Sequence, residues 1–153
     1  MVSIYKAHPW HGIEHTDDFP NEVLAFIEII PTDTVKYEID KKSGYLKIDR
    51  PQKFSNQVPA SYRFLPKTYC GKTVAKFSSN ESSGAIKGDG DPLDIIVLTE
   101  RVISHGDILI NAIPIGGFTM LDRNEADDKI IAVMKNDAVY GKYKNVSELP
   151  MNI

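Results

Sequence analysis

The chain contains 153 residues, of which 42% are hydrophobic and 25% are charged, and its formal net charge is −3 at pH 7. This composition, with a mean hydropathy of −0.25, predicts one globular domain over residues 1–153 and excludes a disordered or membrane-embedded chain. The slight acidity gives no support to nucleic-acid binding, which usually requires a strongly basic domain or face.

The cysteine content and the N-terminal part of the sequence indicate the expected cellular location. Cys70 is the only cysteine, so no disulfide can form within the chain and a reducing environment is favoured. The most hydrophobic early segment, residues 23–30, is interrupted by Glu28, so neither a signal peptide nor a membrane anchor is expected. We therefore expect a cytoplasmic protein that contacts no membrane.

The apolar segments are short, rich in β-branched and aromatic residues, and separated by turn residues, a pattern that favours β-strands. The sequence KKSG at 41–44 ends in a glycine and predicts a hairpin loop between two of them. Because no helices are interleaved, the strands predict a small barrel or a sandwich. The predicted strands are 24–30, 34–40, 44–49, 95–98, 108–115 and 129–134.

Helical signal is weak, and short helices are predicted only near Ser147 or within residues 17–23. A helix beginning at Ser147 would have almost no apolar face, so either it is vestigial or the sequence is a fragment. Residues 70–88 are rich in serine, glycine and lysine and predict a long surface loop or hairpin. Two interpretations of this loop stay open, a lid beside an acidic site and an excursion without catalytic consequence.

The stretch GDGDPLDIIVLT at 88–99 places Asp89, Asp91 and Asp94 within six positions, directly before a predicted strand. A turn at Pro92 would bring the three carboxylates together, and carboxylates packed this closely must either become protonated or bind cations. Oxygen ligands without cysteine or histidine favour magnesium, manganese or calcium over zinc, and magnesium is the first choice. An EF-hand is excluded because Leu93 stands where a ligand is needed.

A second acidic group lies in MLDRNEADDKII, again beside a predicted strand. Taken alone, this segment is simply interpreted as a solvated turn, but two such groups in one small domain favour an ion site. Lys36 and Glu38 share one face of a strand, and Arg50 and Lys129 also lie in or at the ends of strands. Carboxylates for metals combined with cations for anions predict phosphoryl transfer. The second acidic group comprises Asp122, Glu125, Asp127 and Asp128.

The block DGDPLDIIVL resembles the signature of the soluble family I inorganic pyrophosphatases, in which Asp-x-Asp-Pro-x-Asp precedes a β-strand. The resemblance implies a mainly β fold, an OB-like five-stranded barrel with short peripheral helices, the site at its mouth, and a C-terminal helix that is apparently truncated here. It implies hydrolysis of pyrophosphate to two phosphates with several Mg²⁺ ions per site and attack by a metal-bound water. Further matching segments follow the family's order: FIEII, VKYEID, IDR, VPASYRFLPKT, PIGGFTMLDRNEADDKIIAV and YKNVSELP.

The resemblance also implies roles for individual residues. Asp91 would orient or deprotonate the attacking water. The implied metal ligands are Asp89, Asp94, Asp122 and Asp127, with Glu28 and Glu38 acting partly through water. The implied phosphate-binding residues are Lys36, Arg50, Tyr62 and Lys129. Bacterial relatives often form hexamers, so the expected partners are pyrophosphate, phosphate and further copies of the chain, with no nucleic acid and no membrane.

The sequence departs from the family pattern at several places. Val58 stands where a tyrosine is usual, Arg63 stands where a glycine is common, and the 70–88 segment is longer than in compact bacterial members. The helix that carries a Tyr-Lys pair in the family is also missing. Two alternatives therefore stay open: an OB-type module that binds nucleic acid or another polyanion without chemistry, and an inactive member that binds metal and assembles.

Overall fold

The computed structural model describes residues 5–52, 58–81 and 86–150, without the side chains of residues 79–81. Five strands form a closed barrel in the order β1 (Val23–Ile29), β4 (Ser61–Phe64), β6 (Asp94–Leu98), β10 (Lys129–Met134) and β7 (Ile108–Phe118). Strands β6 and β10 run parallel, and the other barrel neighbours are antiparallel. The elements are β1 Val23–Ile29, β2 Val35–Ile39, β3 Leu46–Pro51, β4 Ser61–Phe64, α1 Lys72–Glu81, β5 Lys87–Gly88, β6 Asp94–Leu98, β7 Ile108–Phe118, β8 Leu121–Asp122, β9 Glu125–Ala126, β10 Lys129–Met134 and a 3₁₀ helix Val146–Glu148.

The barrel interior is the main hydrophobic core. Its side chains come from alternating positions of the strands, such as Val23, Ala25 and Ile27 of β1, as the period of two in a strand requires. The opposite face of β1 is also covered, because Phe26 packs with Phe64 and Ile39 in a second cluster beneath the β2–β3 hairpin. The predicted mainly β fold with a five-stranded barrel and short peripheral helices is confirmed.

The sequence predicted a loop over residues 70–88. This prediction is wrong for most of the residues that the structure describes there, because Lys72–Glu81 form an α-helix. The helix packs on β5 and β9 with a face that includes Ala75 and Ser78, which are three positions apart and both buried. These residues are small, so the buried face lacks the large apolar stripe that predicts an amphipathic helix. Positions 82–85 lie outside the described residues.

Other local predictions differ in detail. Strand β4 escaped prediction because it has only four residues and includes the charged Arg63. Residues 17–22 form turns and no helix, and β1 begins at Val23. The helical turn near Ser147 is present, but as a 3₁₀ helix whose N-cap is Asn145, which accepts a hydrogen bond from the Ser147 N–H. None of the described helices has both the length and the apolar character needed to cross a membrane.

Candidate active site

A cavity of about 210 Å³ lies at the mouth of the barrel and is lined almost entirely by charged side chains. Its carboxylates outnumber its cations by seven to three, so the site as a whole is strongly negative. Tyr62 supplies the remaining side chain of the lining. The carboxylates are Glu38, Asp89, Asp91, Asp94, Asp122, Glu125 and Asp127, and the cations are Lys36, Arg63 and Lys129.

The parallel pairing of β6 and β10 explains how two distant acidic segments meet. Asp94 and Lys129 are the first residues of these strands and are direct partners in the register. The segments that precede the two strands therefore arrive at the same end of the barrel. One of them carries Asp89 and Asp91, and the other carries the second acidic group, which ends at Asp128. The β2–β3 hairpin adds its own polar side chains from a third direction.

Asp94 and Lys129 form the centre of a compact polar network. The Nζ of Lys129 lies 2.5 Å from Asp94 Oδ2 and 2.5 Å from Asp127 Oδ1. The hydroxyl of Tyr62 also donates to Asp94 Oδ2, at 2.5 Å. Burial raises the pKa of Tyr62 well above its usual value, and the neighbouring Asp94 raises it further. Tyr62 is therefore a hydrogen-bond donor throughout the physiological pH range.

Lys129 is protonated for a related reason. Burial opposes its charge, but the carboxylates of Asp94 and Asp127 outweigh burial and raise the pKa of Lys129 above its ordinary value. Burial raises the pKa of Asp127, an effect that the adjacent Lys129 opposes. The lysine therefore keeps its charge inside the site and can neutralise an anion that enters it.

The DGDPLD segment is held in a tight turn. Gly90 has φ +76°, a backbone conformation that side-chain-bearing residues rarely adopt, and Asp89 Oδ1 accepts the Asp91 N–H at 2.9 Å. Burial raises the pKa of Asp89. The carboxylate of Asp91 forms an ion pair with Lys41 from the hairpin loop. The spacing of the sequence predicted that three carboxylates meet through a turn at Pro92; all three line the cavity, but the turn lies around Gly90 and carries Asp89 and Asp91, while Asp94 begins β6.

Glu28 lies behind the cavity and does not line it. It sits where a register shift interrupts the pairing of β1 with β4, and its side chain is completely buried. Its Oε1 accepts the Ile39 N–H at 2.8 Å, and its Oε2 lies 2.7 Å from the Nε of Arg63. Burial raises the pKa of Glu28 to about 7, although the Arg63 charge opposes this effect. Glu28 is therefore partly protonated near neutral pH in the metal-free protein.

The structure brings nearly all of the predicted site residues to one cavity. Arg50 is an exception, because it lies at the exposed end of β3, opposite Lys36 in the hairpin, and contacts Asp49 at 3.1 Å. Glu125 belongs to the second acidic group, but sequence reasoning gave it no role. Arg63 was also missed as a site residue, and its signal was a lone charge within the otherwise apolar run around β4.

The donor set suits hard divalent cations. The cavity is lined by carboxylates and by no cysteine or histidine among the described residues, which favours magnesium or a similar ion. No three candidate ligands within residues 5–52, 58–81 and 86–150 lie close enough to hold one ion together. Lys129 instead forms ion pairs with both Asp94 and Asp127, so the lysine is the counter-charge of both carboxylates.

A closed OB-like barrel whose mouth gathers carboxylates and cations defines a protein built to bring divalent ions and a phosphate-type anion together. The family described as inorganic pyrophosphatase matches residues 25–153. The inorganic pyrophosphatase of Chlamydia trachomatis is 56% identical over 145 residues, which cover 94% of this chain and 69% of the relative. The chain belongs to the inorganic pyrophosphatase family.

Two further comparisons agree in sequence and in fold. The inorganic pyrophosphatase of Chlamydia caviae is 51% identical over 152 residues, which cover 99% of this chain and 70% of the relative. A crystal structure described as an inorganic phosphatase from Anaplasma phagocytophilum superimposes with a TM-score of 0.72 at 32% identity. That superposition covers 90% of this chain and 72% of the other.

Proposed function

We propose that this protein hydrolyses inorganic pyrophosphate to two phosphates by magnesium-assisted attack of water. The observation that carries the proposal is the meeting of two acidic segments and three cations around one cavity, in a chain that belongs to the inorganic pyrophosphatase family. Pyrophosphate is a compact polyanion, so its binding requires both divalent ions and basic side chains to offset its charge.

Magnesium, when bound, supplies charge neutralisation at the phosphate oxygens and makes water more acidic. Asp89, Asp94, Asp122 and Asp127 would hold the ions directly, whereas Glu38 in the cavity lining and Glu28 behind it, beside Arg63, would act through water. These carboxylates supply the oxygen donors that magnesium prefers.

The remaining residues act on water and on the substrate. Asp91 accepts a hydrogen bond from the attacking water and then its proton. Lys36 and Lys129 neutralise phosphate oxygens, and Tyr62 donates to them through its hydroxyl. Arg50 lies opposite Lys36 in the hairpin and would contribute from the exposed rim. In the free protein Lys41 is paired with one carboxylate oxygen of Asp91, Oδ1, so the other oxygen, Oδ2, is the one proposed to accept the proton.

The proposal is tested by measuring phosphate release from pyrophosphate with magnesium and with a chelator. We expect release that depends on magnesium, and an Asp91→Asn variant that folds normally and turns over at least about 100-fold more slowly, because it cannot accept the proton. Asp17→Asn is the matched control, since Asp17 is exposed and lies outside the cavity. A folded protein without magnesium-dependent release would contradict the proposal, and an unchanged Asp91→Asn rate would remove that residue from the mechanism.

The proposal extends to location and assembly. We place the protein in the cytoplasm and expect residues 1–153 to form one domain. We also expect a homo-oligomer, and the family resemblance implies a hexamer. Light scattering on the purified protein tests the assembly, and a monomer at micromolar concentration would contradict it.

A further inference from the structure

Arg63 occupies an unusual position for a charged residue. It lies in β4, and its partners in the neighbouring strands are Ile27 of β1 and Ile95 of β6, both fully buried. The arginine itself is only 8% exposed, yet it lines the acidic cavity. Because a charge is rarely buried unless it is paired, the site must contain a reason for its presence.

Three carboxylates surround the guanidinium group. The Nε of Arg63 lies 2.7 Å from Glu28 Oε2 and 4.0 Å from Asp94 Oδ1, and one Nη lies 3.9 Å from Glu38 Oε1. Although Nε and Glu28 Oε2 are close, neither atom has a hydrogen-bond partner with suitable geometry. The guanidinium therefore acts on these carboxylates mainly through its charge.

Asp94 connects this arginine to the centre of the site. Its Oδ2 is taken by Lys129 and Tyr62, whereas its Oδ1 faces Arg63. The two oxygens of one carboxylate thus face different cations. Arg63 differs from Lys129 in its nearest partner, because Arg63 lies closest to Glu28 behind the cavity, whereas Lys129 pairs with Asp94 and Asp127, which line it.

We propose that Arg63 is a positioning residue that supplies a permanent positive charge at the inner end of the cavity. It compensates Glu28 and orients Asp94, and it thereby leaves the outer carboxylates to bind divalent ions. With Arg63 in place these three carboxylates lie around the guanidinium and do not converge on one point. Removing the guanidinium would leave Glu28, Glu38 and Asp94 without their shared cation and would vacate the space between them, so that they could converge on a divalent ion. The inference rests on the proposed function only in that the cavity must bind such ions.

The test counts ions bound by the metal-free protein, with no pyrophosphate present. Titration with Mn²⁺, followed by calorimetry, is expected to show one more ion per chain in Arg63→Gln than in the wild type. Arg101→Gln is the matched control, because the Arg101 side chain is 79% exposed and lies outside the cavity. The double variant Arg63→Gln/Glu28→Gln should return to the wild-type number, since the ligand for the additional ion is lost with the arginine.

Kinetics separate positioning from a purely structural role. Arg63→Lys keeps the charge but cannot reproduce the reach of the guanidinium, so we expect an unchanged ion number and a kcat lowered about 10-fold or more with KM nearly unchanged. If Arg63→Gln does not fold, Arg63→Lys decides: an additional ion, or wild-type turnover, would overturn the proposal. Equal ion numbers in a folded Arg63→Gln and the wild type, zero included, would also overturn it. A protein that binds ions but does not hydrolyse pyrophosphate would contradict the proposed function. The numbers of ions bound by the wild type and by Arg63→Gln could still be compared, so the test of Arg63 would stand.

Discussion

Glu28 provides the sharpest test of the electrostatics of the site. The side chain is completely buried, and its pKa is raised from 4.5 to about 7. A carboxyl group with a raised pKa in the folded state binds more protons folded than unfolded between these two values. Its contribution to stability is therefore present below the unfolded pKa and is lost as the pH rises through about 7. The effect applies to the metal-free protein, so all measurements are made with a chelator.

The magnitude follows from the two pKa values. Between pH 5 and pH 8 the Glu28 contribution to the free energy of unfolding falls by about 2.5 kcal/mol. Glu28→Gln cannot titrate, so the difference in unfolding free energy between wild type and variant should change by that amount over this range. The variant also leaves Arg63 without its partner, and this cost adds a loss that does not depend on pH because arginine stays charged.

Urea unfolding followed by circular dichroism at several pH values measures this difference. Glu148→Gln is the matched control, because Glu148 is exposed and lies outside the cavity. If the difference between Glu28→Gln and the wild type changed by less than about 0.5 kcal/mol from pH 5 to pH 8, Glu28 would not be the buried titrating group.

Three further predictions concern helix α1, a close backbone approach and the central lysine. Ser78→Ala removes a hydroxyl that lies 3.0 Å from both carboxylate oxygens of Asp128. Urea unfolding should show a free energy of unfolding that is lower by about 1–3 kcal/mol, and a decrease below about 0.5 kcal/mol would show that this hydrogen bond does not stabilise the fold. Gly88→Ala places a Cβ 2.4 Å from the carbonyl oxygen of Cys70, so its melting temperature should fall, whereas a wild-type value would show that the two backbones can separate freely. Lys129→Met keeps an unbranched side chain of similar volume but removes its charged end, so phosphate release should slow at least about 100-fold, and a rate within about 3-fold of the wild type would exclude a role at the substrate.

The short apolar segments predicted four of the five barrel strands, because each of these four buries at least one face, whereas the short β4 escaped prediction. β1, for example, carries its interior positions at a period of two. Helix α1 escaped prediction for the opposite reason. Its buried face is built around Ala75 and Ser78, so the energy that holds it in place comes from close packing and a hydrogen bond to Asp128 rather than from a visible apolar stripe.

The acidic site was likewise predicted only in part from the sequence. The spacing of DGDPLD indicated convergent carboxylates without any structure, because the geometry of a short turn is local. The family signature was also visible, and membership in the family is confirmed. The roles of the individual site residues stay predictions, even though most of these residues meet at one cavity.

What the sequence determined by itself is the class of fold, the family and the inventory of charged groups near the chemistry. Only the tertiary structure decided which of those charges face one another. Asp94 and Lys129 are 35 positions apart and become partners because β6 and β10 pair in parallel. Arg63 joins Glu28 because a register shift in β1 turns the glutamate towards it. Such pairings depend on strand register in a closed barrel, and register is a property of the whole sheet rather than of any local segment.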